Sequence, residues 1–207
     1  MLLNIRYPLI FLLVYLTQIV FSQELRINEV VSSNISGIKD KSGDYSDWIE
    51  IHNLTSSTID LGGYYLSDKK ENPLKWKFPT FLIAANGYIL VFASEKNSTE
   101  TELHANFKLA TEGENILLSK PDGNLIAQLD SIPLKDDISY GFKIEENSSY
   151  KYFSEPTPKA ANTTNAFLGF LGETVLNFAS GFYPVPIDVR ISQIDVGAEA
   201  RYTLNCD

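Results

Sequence analysis

Asp40, Asp44 and Asp47 sit close together in a loop that also contains Gly43. Carboxylate oxygens are the hard ligands Ca²⁺ prefers, so these three are the calcium candidates of the chain. Their spacing is not that of an EF-hand loop, and only residue type speaks for them. Two tighter pairs, Asp47/Glu50 and Asp136/Asp137, raise a different chemistry, because a glycosidase needs only two carboxyl groups placed across a sugar. Neighbouring acids on strands and turns are usually just solvated, and no cleft signal accompanies these. His52 and His104 are the only histidines, too few for a His-rich metal site, and the single cysteine, Cys206, stands next to the last residue. The sequence has no Gly-x-Ser-x-Gly elbow, no phosphate-cradling glycine loop and no His-Glu-x-x-His. The expectation is a chain without catalytic residues and without a cofactor.

The aromatic residues offer binding rather than chemistry. Trp48, Tyr64, Tyr65, Trp76 and Tyr88 can form a face that stacks on sugar or docks protein, or they can fill a core, where aromatics supply much of the buried area. Trp48 reads as core. Tyr64 and Tyr65 are adjacent, so on a strand one points in and the other out, which makes them the candidate contact face.

The elements that must position these residues are short. Leu25–Val31 is the first strand expected, and Trp48–His52 alternates with the period of a half-buried strand. Ile59–Leu66 carries Gly62-Gly63 at its centre and reads as two short strands with a bend. Lys75–Phe78 stops at Pro79, and Phe81–Ile83 and Tyr88–Phe92 flank the tight-turn pair Asn86-Gly87. Asn115–Ser119 and Leu125–Leu129 flank Pro121-Asp122-Gly123-Asn124, and Ile138–Phe142 and Tyr150–Phe153 follow. No long helical stripe occurs, so the fold class is all-β, a sandwich or barrel. Two prolines in Glu155–Asn162 mark a domain exit, and 163–173 reads as a linker, although Phe167, Leu168, Phe170 and Leu171 are too apolar to be fully solvated.

With 207 residues, 44% of them hydrophobic, the chain has enough apolar material for one well-buried domain and something more. A net charge of −9 repels phosphate backbones and anionic headgroups, so nucleic acid and bare membrane are excluded as first partners. Residues 1–22 read as a secretory signal peptide: Arg6 gives a positive start, Tyr7–Phe21 is apolar, and Ser22 supplies a small cleavage residue. No later stretch is apolar enough to span a bilayer, which places the protein outside the cell or on its surface. Lacking internal disulfides, the domain is held by its core, and Cys206 can only pair between chains, stay free, or meet a partner elsewhere. Asn34, Asn53, Asn97, Asn147 and Asn162 each begin an Asn-x-Ser/Thr sequon of the kind chance also produces in such loops.

Several stretches, taken in order, resemble the lamin tail domain in its bacterial, extracellular form. They are Ile27-Asn28-Glu29-Val30, Asp47–Asn53, Ile59–Asp68, Ala85–Tyr88, His104–Leu109, Gly113-Glu114, Ser139-Tyr140-Gly141 and the exit Pro156–Asn162. The resemblance implies an immunoglobulin-like β-sandwich over 23–162, and it departs from the family pattern at Lys159, where glycine is expected. Phe178–Tyr183, Pro186–Val189 and Gly197–Leu204 are similar to the start of a chitobiase/β-hexosaminidase C-terminal module, with Cys206 where glycine is expected. The second β-module, 174–207, is shorter than the roughly 40 residues such a unit needs without disulfides or metal, so the chain is expected to be the N-terminal fragment of a longer protein. The two resemblances together imply a non-catalytic interaction or spacer module of an exported protein, with protein or cell-surface polysaccharide as partner. The alternatives are the accessory region of a larger exported enzyme, spore-coat-kinase-like or a hydrolase, and a carbohydrate-binding surface protein.

Overall fold

Along Asp47–Asn53, Ile49 and Ile51 point to one side while Trp48, Glu50 and His52 point to the other, because successive strand side chains alternate between faces. Both sides are buried, so the sheet containing this strand is covered on each face. The computed structural model describes residues 23–131, 133–145, 148–172 and 175–192. Residues 1–22, expected to be a signal peptide, the stretch 193–207 and, with it, Cys206 lie outside the described residues. No helix occurs among the described residues.

The strands are β1 (Leu25–Val31), β2 (Asp47–Asn53), β3 (Ile59–Asp60), β4 (Tyr65–Ser67), β5 (Trp76–Lys77), β6 (Leu82–Ile83), β7 (Tyr88–Ala93) and β8 (Leu103–His104). They continue with β9 (Ile116–Ser119), β10 (Leu125–Leu129), β11 (Ser139–Lys143), β12 (Ser149–Phe153), β13 (Ala166–Phe167), β14 (Val175–Leu176) and β15 (Ile191–Ser192). The large sheet runs β13-β12-β11-β1-β2-β7-β8, antiparallel except for the β7–β8 pair. Facing it are β10-β9-β4-β5 and the small β3-β6 ladder. Leu25, Ile27, Val30, Ile49, Ile51 and Val91 of the first layer meet Leu66, Trp76, Ile116, Leu118 and Leu129 of the second in one core. The arrangement is an immunoglobulin-like β-sandwich.

Several local expectations come out differently in three dimensions. Asn86-Gly87 does turn the chain, with the Gly87 amide donating to the Ala84 carbonyl at 2.9 Å, but the strands on either side do not pair. Instead β6 joins β3 and β7 joins β2, so the turn carries the chain between layers. The Lys120–Asn124 turn, by contrast, closes its own hairpin, with Gly123 at φ 87°. In the stretch expected as a linker, two of the four apolar residues dock on the sheet. Ala166 and Phe167 add β13 to the large sheet, and Phe167 and Phe170 pack on Tyr152 at ring separations of 5.5 and 4.9 Å. Their apolar area is what holds the segment down, while Leu168 and Leu171 stay exposed. Beyond it, β14 and β15 pair with each other.

The outer face of the large sheet positions the site. A β-bulge in β1 between Ile27 and Glu29 shifts the register so that Glu29 stands directly opposite Glu50 of β2. Beside them on the same face Val31, Trp48 and Phe92 form a second apolar cluster.

Candidate functional site

The calcium candidates separate in the fold. Asp40 accepts the Ser42 and Asp44 amides at 2.9 and 3.1 Å and the Ser46 hydroxyl at 3.0 Å. The Lys96 ammonium then closes the loop, 2.5 Å from Asp40 and 2.7 Å from Asp44. Burial works to raise the Asp40 pKa, but the Lys96 contact and the two amide and hydroxyl donors outweigh it and hold it at about 2. The position a cation would take between Asp40 and Asp44 is thus filled by an ammonium. Asp47 turns away and accepts the Asn34 amide at 3.1 Å. Among the described residues no group of three or more His, Cys, Asp or Glu is placed to hold a metal ion.

The carboxylate pairs fare similarly. Asp47 and Glu50 stand three residues apart on one strand and therefore on opposite faces. Asp136 accepts the Ser33 hydroxyl at 2.6 Å, and Asp137 accepts the Ile35 and Ser36 amides at 2.8 and 3.0 Å, so both fasten the 33–37 loop. His52 takes a hydrogen bond at Nδ1 from Arg26 at 3.1 Å and stacks on Tyr88 at 4.0 Å. His104 pairs with the Ser94 hydroxyl at 2.9 Å and stacks on Phe92. Burial depresses both histidines, which keeps them neutral. Tyr64 packs against the core, whereas Tyr65 is half-exposed with the Lys77 ammonium 6.0 Å from its ring. Of the described sequons, Asn34, Asn53 and Asn162 are buried with Nδ2 bonded to backbone carbonyls, and Asn97 alone is exposed.

What the chain does bring together is a pair not singled out by spacing. Glu29 and Glu50 are directly opposed on adjacent strands, both fully buried. Opposed residues place their Cβ atoms roughly 5 Å apart, so the two carboxyl groups share one site. Glu29 accepts the Ser139 hydroxyl at 2.6 Å and the Thr157 amide at 3.0 Å. Glu50 accepts Asn28 Nδ2 at 2.9 Å and, on its other oxygen, the Lys159 amide. Asn162 ties the same segment down, donating to the Asn28 and Phe142 carbonyls at 3.0 Å each and accepting the Thr157 hydroxyl at 2.8 Å. This close approach needs a glycine beneath it: a Cβ on Gly141 would fall 2.4 Å from Asn162 Nδ2.

Among the described residues no cation forms an ion pair with either carboxylate. The Arg26 guanidinium is spent on Asn28, on His52 and on the face of the Phe142 ring at 3.9 Å. Burial therefore dominates. It raises Glu29 despite the Ser139 and Thr157 donors. It pushes Glu50 up to about 8, with the Glu29 charge adding to burial and the Asn28 and Lys159 donors subtracting. Burial of both groups, and the charge of one on the other, favour keeping a proton on the pair. Sealed from solvent, the pair offers no surface to a substrate.

Glu155–Asn162 thus crosses the outer face of β1 and β2 as a strap. Its prolines, Pro156 and Pro158, also wall a cleft of about 230 Å³ against Val31, Ile38 and Trp48. The signal in the sequence that could have found the pair is a glutamate set beside core residues in each strand, next to Val30 in β1 and between Ile49 and Ile51 in β2. The stretches quoted above around Ile27–Val30, Glu50, Ser139–Gly141 and Pro156–Asn162 all meet at this point.

A family model described as Lamin Tail Domain matches residues 22–132, more than half of the chain. The match ends before Val175–Leu204 and lends no support to the chitobiase-type resemblance of that stretch. No curated protein matches the chain. Glu29 and Glu50 fall inside the matched region, whereas the strap that seals them lies after it, and on this match the chain belongs to the lamin tail domain family.

Proposed function

We propose that the chain is a non-catalytic interaction or spacer module of an exported, multi-domain protein. The observation that carries this reading is that the acids and histidines able to do chemistry are spent on internal contacts. Glu29 and Glu50 lie beneath the strap, Asp40 and Asp44 hold Lys96, Asp136 and Asp137 hold the 33–37 loop, and both histidines are stacked and bonded. Some of what faces outward is apolar. Leu168 and Leu171 after β13, and Phe182, Val185 and Val189 between β14 and β15, are all exposed. Apolar side chains gathered in one stretch mark a contact surface for a neighbouring protein part. The same stretch favours a second reading, in which the module abuts the catalytic domain of a larger exported enzyme. A cell-surface polysaccharide is the other partner class, while the net charge of −9 argues against nucleic acid.

Fractionation of cells producing the chain with residues 1–22 in place tests the reading. It predicts a product outside the cytoplasm, shortened at the N-terminus by mass spectrometry, that turns over none of a panel of glycoside, ester and peptide substrates. A full-length product held in the cytoplasm, or turnover abolished by a point substitution, contradicts it.

A further inference from the structure

We infer that the Glu155–Asn162 strap is proton-linked: docking it over β1 and β2 takes up a proton on the Glu29–Glu50 pair, so rising pH opens the strap and uncovers the Trp48 cleft. Three geometric facts carry this. Both carboxyl groups are fully buried and directly opposed. The groups that close over them from outside are strap amides, Thr157 on Glu29 and Lys159 on Glu50. And Pro156 and Pro158 of the same strap wall the cleft lined by Val31, Ile38 and Trp48, so one movement exposes both the carboxylates and the tryptophan.

The other charged and titratable groups around the pair do not supply the effect. From β1, Arg26 is engaged by Asn28 and His52. From β2, His52 is held neutral by burial and by Arg26. From β7, Tyr88 is raised by burial and by Glu50 itself, and from β12 Tyr150 is held protonated to about 12 by burial. The strap brings the Lys159 ammonium, which is exposed and draws Glu50 downward, against the trend. That leaves the pair. With the strap lifted, Glu50 meets water and returns toward the ordinary glutamate range near 4.3, whereas beneath the strap it keeps its proton to about 8. Opening therefore releases a proton throughout the interval between these values. The opening constant climbs by up to about tenfold per pH unit across that interval and levels off above it.

Hydrogen exchange on the full chain, followed by mass spectrometry from pH 5 to 9 and corrected for intrinsic rates, reads this directly. The amides of Thr157 and Lys159 are expected to be less protected than those of β2 at every pH. Their protection should fall by up to about tenfold per unit to pH 8 and then level. Glu50→Gln, which removes the titrating group while keeping its shape and one acceptor oxygen, should flatten that slope while leaving β2 protected. Should that variant fold poorly, Glu29→Gln serves as the second, since removing the neighbouring charge must lower the pH at which the fall levels off. Strap amides as protected as β2 at every pH, or a pH profile untouched by both substitutions, would overturn the inference.

Discussion

Lys159 adopts φ 65°, in the left-handed region that costs a residue with a Cβ about 1–2 kcal/mol. The conformation is held because it aims the Lys159 amide at Glu50. Glycine would make the same bond without the steric cost, so Lys159→Gly is expected to raise stability by about 1 kcal/mol, less the entropy glycine adds to the unfolded chain. A urea midpoint that falls instead would mean that the side chain, not the backbone, holds the strap. Lys96 is the opposite case, a side chain whose charge is needed. Lys96→Met leaves the buried Asp40 carboxylate without its counterion, at a cost of about 2 kcal/mol given that the ammonium is partly exposed. Because that ammonium occupies the place between Asp40 and Asp44, neither calcium nor a chelator should move the melting temperature, and a rise on adding calcium would sink this assignment. Residue type grouped Asp40, Asp44 and Asp47 as calcium candidates, and nothing in their spacing reveals that a lysine more than fifty residues on lies against the first two.

Most of the elements were legible before the fold was known, and the reason is local. Strand periodicity in β1, β2, β7, β9 and β10, the Gly62-Gly63 bend and the Lys120–Asn124 turn all rest on residues within a few positions of one another. The exceptions, β8 and β13, are two residues long and exist because a partner strand is already in place. Pairing is equally hard to read: β1 meets β11 and β7 meets β8 only after long excursions, and the Asn86-Gly87 turn separates its strands rather than joining them. The carboxylate pair was hidden for the same reason. Glu29 and Glu50 look like solvated outward residues on their own strands, and only the strap, more than a hundred residues beyond Glu50, makes that face dry. The strap in turn depends on Gly141. Gly141→Ala pushes a methyl into Asn162 and should cost about 1–3 kcal/mol, with protection lost in 155–162 before it is lost in β2. Equal loss in both segments would mean that strap and sheet open as one unit.

For the whole molecule, two opposed sets of carboxylates shape the dependence of stability on pH. Asp40, depressed to about 2, contributes stability that is fully present above the ordinary aspartate value and is lost as pH falls toward 2. Glu50, raised to about 8, acts with the other sign. The folded state binds its proton more tightly than the unfolded chain does, so stability falls as pH rises from the ordinary glutamate range to about 8 and is level above it. Both slopes meet in acidic solution, and urea midpoints should be highest near pH 4 and lower at both pH 2.5 and pH 8. Glu50→Gln should remove most of the alkaline decline and leave the acid limb alone. An immunoglobulin-like sandwich of the lamin tail domain family thus carries, on the outer face of its larger sheet, one proton that its exit strap keeps in place. The direct measurement is a carbon-detected NMR titration of the glutamate side-chain carboxyl groups in the folded chain. One resonance, absent from Glu50→Gln, should titrate near pH 8 while the exposed glutamates titrate in the ordinary range near 4.3. If every glutamate titrates below about pH 5.5, the pair is not sharing a proton beneath the strap, and the account is wrong at its centre.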